Sequence, residues 1–210
     1  MEENLLLASE LCKNCGLCCS GALFGHATLE EGEETRAKEL KINPVITEEG
    51  EGAFYLPCPH LDGTACSIYP ERLQICGEYH CNLSTSVLEG ETSFEEAIED
   101  VNSAKEQAKW LKENAIYKDL DGKDEYKLSD YQAHFKDEYE KDQFNLRYYQ
   151  NYFLYKLQVQ LEEKPISQQD ADYAAKTFDY IDLINRSFRE TEMFQDYSEL
   201  IKNIKNKMPD

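Results

Sequence analysis

"LCKNCGLCCSG", residues 11–21, sets Cys12, Cys15, Cys18 and Cys19 within eight positions, the last two adjacent. Thiolates are soft ligands, and each two-residue step of a CxxCxxC run turns the backbone enough to aim successive sulfurs at one centre. With a remote fourth cysteine, this spacing suits a four-iron cluster. Structural zinc more often takes one CxxC pair from each of two loops. Gly16, Gly21 and Gly25 give the backbone freedom that a loop around an ion needs, so residues 1–27 are expected to form a tight loop after one helical turn.

Outward from this run lies a second group, "CPHLDGTACSIYPERLQICGEYHC" at residues 58–81, which supplies Cys58, Cys66, Cys76 and Cys81 with His60 and His80 beside them. All eight cysteines fall in the first 81 residues and none in the remaining 129. The long, irregular spacings suit a site closed by folding. One or two of these residues complete the first loop's site and the others form a second site or a local clasp. All eight are expected metal ligands, with Cys12, Cys15 and Cys18 holding a cluster together with Cys76 or Cys81. His60 and His80 are candidate ligands on equal terms with a hydrogen-bonded role in a turn. His26 and His134 are read as structural or exposed. Arg72 has two readings: a guanidinium offsetting thiolate charge, or a surface pair with Glu71 or Glu78.

The order CxxCGxCC at Cys12–Cys19, then "CPHL" at Cys58, then "CSIYPERLQICGEYHC" at Cys66–Cys81 resembles the YkgJ-type cysteine-cluster family, described as zinc- or iron-chelating. All eight cysteines fall in register, as do Gly16, Pro59, Tyr69, Arg72 and Tyr79, over roughly residues 11–82. Arg72-Leu73 stands where that family usually has Arg-Pro, a change in a turn and not in a ligand. The resemblance implies metal binding through the cysteines. The pattern also looks like that of flagellin lysine N-methylases, which implies a methyltransferase alternative.

The chain has 210 residues and a formal net charge of -20, with 14 Asp/Glu against 5 Lys/Arg in residues 1–85 and 28 against 17 in the rest. So acidic a surface excludes nucleic acid and anionic membranes as partners. "MEENLLLASEL" carries glutamates where an export signal carries positive charge, and no segment has the apolar length of a spanning helix, so a cytoplasmic location is expected. Reduced thiols there are metal ligands or redox centres more often than disulfides.

Past Cys81 helical periodicity takes over. Thr28 and Glu31 read as a capping box opening a short acidic helix with Leu29, Ala37 and Leu40 on one face and Pro44 beyond it. Residues 45–57 read as a hairpin around a Gly-Glu-Gly turn. Phe94, Ala97, Ile98, Val101, Ala104, Ala108 and Leu111 form a helical stripe capped by Ser93 and Glu96. Residues 116–128 are turn-rich, a hairpin or an excursion between helices, and Gly122 is misplaced for a calcium loop. Apolar positions predict helices over 129–163, broken into two, and over about 167–204 with a bend near Glu190. In "RYYQNYFLY", residues 147–155, Tyr148, Tyr152 and Tyr155 share one face and Tyr149 and Phe153 a second, as in a wide core stripe.

The expected architecture is mainly α with α+β character: a cysteine-cluster metal-binding domain at 1–85 and a helical region at 86–210. Three functions follow. The first is an iron-sulfur protein with a 4Fe-4S cluster. The second is a structural zinc module whose helical region contacts a protein partner. The third, resting on resemblance alone, is a cluster-containing methyltransferase-like enzyme, for which the sequence offers no nucleotide loop and no catalytic motif.

Overall fold

The computed structural model describes residues 2–47, 50–118, 125–127, 146–163, 167–188 and 201–206. Helix α1 (Glu2–Cys15) is much longer than the single turn expected. Ala8 and Leu11 are buried, and Leu7 and Cys15 pack against the same core, so an i, i+4 stripe reaches into the cysteine run and keeps it helical as far as Cys15. Gly16, at φ 67°, then turns the chain.

Strand β1 (His26–Thr28) follows, then α2 (Glu34–Glu39), β2 (Val45–Ile46) and β3 (Gly52–Tyr55). The expected hairpin is present, β2 pairing antiparallel with β3 in the register Val45 opposite Ala53. The third strand was not foreseen: β1 pairs on the other edge of β3. Thr28 therefore belongs to a strand, and α2 starts later, after Glu33, with no side-chain cap. Of the three residues assigned to that helix's face only Ala37 lies within α2, although Leu29, Ala37 and Leu40 are all buried with Phe54, Leu56 and Leu73 in a small core under the sheet. Leu73 fills a buried position in this core.

A two-stranded ribbon, β4 (Leu61–Asp62) and β5 (Ala65–Cys66), leads through a 3-10 turn at Tyr69–Glu71 to the short α3 (Gln74–Glu78) and then α4 (Asn82–Glu89). Helix α5 (Phe94–Asn114) carries the expected stripe and the full capping box: the Ser93 hydroxyl accepts from the Glu96 N–H, and the Glu96 carboxylate accepts from the Ser93 N–H. Strands β6 (Ile116–Lys118) and β7 (Glu125–Lys127) form an antiparallel hairpin. Helices α6 (Leu146–Glu163) and α7 (Gln168–Ser187) complete the described chain together with a helical stretch at 201–205. The helix expected over 129–145 and the bend near Glu190 lie outside the described residues.

The main core joins both ends of the chain. Leu11, Leu17, Ala22 and Leu23 pack with Leu83 and Val87, with the α5 stripe, and with Tyr173, Tyr180, Ile184 and Phe188 of α7. Among the described side chains of α6 Tyr149 is buried and Tyr152 and Phe153 are half-buried, while Tyr155 is 63% exposed, so the wide core stripe read from the sequence does not extend to Tyr155. Tyr149 and Phe153 meet Tyr173 edge-on at 5.8 and 4.8 Å. The result is a mainly α fold with a small sheet region, in which α1 packs on α4 and α5, and α5 on α7. No described helix is long and apolar enough to cross a membrane.

Candidate metal centre

Helix α1 presents Cys12 and Cys15 three residues apart at its last turn, so both lie on one face. The chain then turns at Gly16, and Ser20 N–H returns to the Gly16 carbonyl at 2.9 Å, folding Cys18 and Cys19 back toward the helix end. A Cβ on Gly16 would stand 2.9 Å from both the Cα and the carbonyl oxygen of Thr64. Glycine is thus what lets the β4–β5 turn, and with it Cys66, close on the end of α1.

Cys81 caps α4, its Sγ accepting from the Ser84 N–H at 3.4 Å. A helix N-terminus favours negative charge on that sulfur. Asn82 N–H reaches the Phe188 carbonyl at 3.4 Å, tying this cap to the end of α7. Cys58 is held from another side, its N–H donating to the Cys19 carbonyl at 2.8 Å. Leu61 N–H bonds the Cys58 carbonyl, and Leu61 pairs with Cys66 across the ribbon.

The thiols divide into two sets by the charges they would feel. Cys12, Cys15, Cys18 and Cys81 each act electrostatically on, or are acted on by, every other member of that set. The same holds for Cys19, Cys58, Cys66 and Cys76. Across the two sets the interactions are fewer: Cys12 with Cys66, Cys12 with Cys19, and Cys18 with its neighbour Cys19. The adjacent pair is therefore the point of division, one sulfur serving each set.

Burial pushes three of these thiols up by a wide margin: Cys15 to about 12, with a backbone hydrogen bond from Leu17 pulling the other way, Cys19 to about 12 and Cys76 to about 11. Cys18 is raised well above the ordinary thiol value, by burial and then by Cys15 and Cys81. Cys12 is raised by burial although its residue surface is exposed; the open side is the cavity described next, and Arg72 and Lys13 pull it back. A soft metal bound here would displace the thiol protons.

A cavity of about 350 Å³ opens among α1, α3 and α4, lined by all four thiols of the first set and by Cys19 and Cys76 of the second. Arg72, Tyr69 and His80 also line it, as do Leu5, Leu6 and Tyr79, which are exposed. Among the described residues no three Cys, His, Asp or Glu side chains already stand close enough to hold a single ion. The donors nonetheless fit the soft-metal class, being sulfur throughout.

His60 is occupied elsewhere: its Nε2 hydrogen-bonds the Leu40 carbonyl and its Nδ1 the Ser67 hydroxyl at 3.5 Å. His80 lines the cavity, with Nδ1 on the Ser84 hydroxyl at 3.2 Å. His134 lies outside the described residues. Arg72 resolves in favour of the thiols. It stacks on Tyr69 at 3.9 Å, donates to the Gly77 carbonyl at 3.5 Å, and lowers both Cys12 and Cys76. Glu71 instead pairs with Arg36 at 3.6 Å, and Glu78 accepts from Gln74. The sequence reading missed the cavity and the Tyr69 hydroxyl bonded to Ser9 at 2.7 Å. The Leu7, Leu11, Cys15 spacing was the signal for α1 that would have placed Ser9 there.

A family model, "CxxCxxCC: Putative zinc- or iron-chelating domain", matches residues 11–115, half of the chain. No curated protein and no solved structure matches it significantly.

Proposed function

This chain belongs to the CxxCxxCC family of zinc- or iron-chelating domains, and from that premise we propose that it is an iron-sulfur protein whose cluster is held by Cys12, Cys15, Cys18 and Cys81. The observation that carries this reading is the cavity of about 350 Å³ onto which all four of these thiols face. A single zinc needs sulfurs at about 2.3 Å from one point and no surrounding space. A four-iron cluster with its sulfides needs room between splayed thiolates. Cys81 is preferred to Cys76 as the remote ligand because it interacts with each of the CxxCxxC thiols, whereas Cys76 does so with Cys58, Cys66 and Cys19.

When bound, the cluster supplies one-electron chemistry or a structural clamp. The protein's own part is to hold the four sulfurs, to place the Ser84 N–H on Cys81, and to set the Arg72 guanidinium beside the cluster's charge. Val101 of α5 and Phe188 at the end of α7 also line the cavity. An absorption spectrum on protein purified without oxygen, with iron, zinc and acid-labile sulfide assayed on the same sample, tests the reading. Broad visible charge-transfer absorption with iron and sulfide in equal amounts supports it. A colourless protein with stoichiometric zinc and no sulfide would replace it with the structural zinc module.

A further inference from the structure

We infer that Cys19, Cys58, Cys66 and Cys76 form a second, separate metal site that takes one zinc ion, so that the protein carries two chemically different centres. The inference rests on the reading of the cysteines as metal ligands but not on what the first set holds.

Three observations carry it. The first is backbone tethering: Cys58 N–H on the Cys19 carbonyl, the Cys58–Leu61 turn, and Leu61 paired with Cys66 bring three of the four residues together before any ion is present. The second is surroundings. Cys58 and Cys66 do not line the cavity that the whole first set faces. Cys58 and Cys76 pack instead against the small core of Leu29, Phe54 and Leu73. Cys19 and Cys76 do line that cavity, and the apolar packing behind Cys58 and Cys76 suits one compact ion.

The third is donor chemistry and connectivity. Four thiolates match structural zinc, which has no geometric preference of its own and accepts a sulfur tetrahedron. The four cysteines come from four places: the turn after α1, the chain after β3, strand β5 and helix α3. One ion joining them would staple the sheet module to the end of α1, compensating for a core that here consists of seven buried residues.

The test uses the full chain, purified anaerobically, as wild type, Cys66→Ser, Cys58→Ser and Cys15→Ser, each checked by far-ultraviolet circular dichroism. Zinc and iron are counted, and X-ray absorption at the zinc edge counts sulfur neighbours. Expected are about one zinc per chain with four sulfurs at about 2.3 Å, lost in Cys66→Ser and Cys58→Ser while iron and sulfide stay, and retained in Cys15→Ser while iron and sulfide fall. If natively folded Cys66→Ser and Cys15→Ser each lose all metal together, the thiols form one shared site and the inference is overturned. Wild type that holds no zinc, and takes none on titration with Zn²⁺, overturns it as well. Wild type with two zinc ions and no iron, one zinc lost in Cys66→Ser, upholds the second site while removing the proposed cluster.

Discussion

A Cβ placed on Gly16 would meet the Thr64 Cα and carbonyl oxygen at 2.9 Å, so the end of α1 and the ribbon turn carrying Cys66 touch backbone to backbone. Gly16→Ala adds a left-handed φ of 67° on a residue with a side chain to that collision. Neither atom of Thr64 is the end of a flexible side chain, so the chains must separate. A loss of about 2 kcal/mol or more in chemical denaturation is expected, strain and collision together, with reduced metal content in the purified protein. Wild-type stability and metal content would show that the two segments are free to part.

Arg72 is the cation between the two thiol sets, acting on Cys12 of one and Cys76 of the other. Arg72→Gln removes charge that favours the electron-rich form of the proposed cluster, so its midpoint potential should fall by tens of millivolts in an anaerobic titration. Arg72→Lys should recover part of the shift while losing the stack on Tyr69. Equal potentials in all three proteins would confine Arg72 to packing.

Tyr180 of α7 donates its buried hydroxyl to the Ala22 carbonyl at 3.2 Å, three residues past Cys19, and Tyr173 donates to the Leu111 carbonyl at 3.1 Å, away from the thiols. Each Tyr→Phe change leaves a buried carbonyl short of a partner and should cost about 1–2 kcal/mol. The two should differ in a second measurement. Tyr180→Phe is expected to speed metal loss to a chelator, and Tyr173→Phe to leave it unchanged.

The capping box of α5 gives a pH signature. The Glu96 carboxyl is held below its ordinary value by the Ser93 hydroxyl and then by the Ser93 N–H. A carboxyl lowered in the folded state adds stability that is present above its unfolded value and is lost as pH falls through the folded one. Glu96→Gln should therefore be less stable than wild type at neutral pH, the two stability curves meeting on the acid side of the usual glutamate range. Ser93→Ala, which removes the cap itself, should cost about 1 kcal/mol at neutral pH.

Much of this protein was legible in single residues. Ser93 and Glu96 announced the start of α5, and the stripe from Phe94 to Leu111 its buried face, because a capping box and a 3.6-residue period are local. The hairpin around residues 45–55 was legible for the same reason. Thr28 misled because its capping pattern competed with a strand pairing to Phe54 and its neighbours, a contact no local pattern records. The aromatic stripe of α6 was likewise read too wide, since Tyr149 packs on Tyr173 of α7 while Tyr155 stays exposed, and only the tertiary contact separates the two.

The sequence by itself determined that this is a soft-metal chain, since eight thiols in this order have little other chemistry, and that helices follow them. It left open which thiols belong together. Spacing constrains neighbours within a loop, but Cys19 and Cys58 are brought together by a backbone hydrogen bond between distant segments, and Cys81 meets Cys12 and Cys15 because α4 packs along α1. Ligand sets are properties of tertiary contact. Only the folded chain sets Cys18 among Cys12, Cys15 and Cys81 and Cys19 among Cys58, Cys66 and Cys76, and opens a cavity lined by the whole first group and by two thiols of the second.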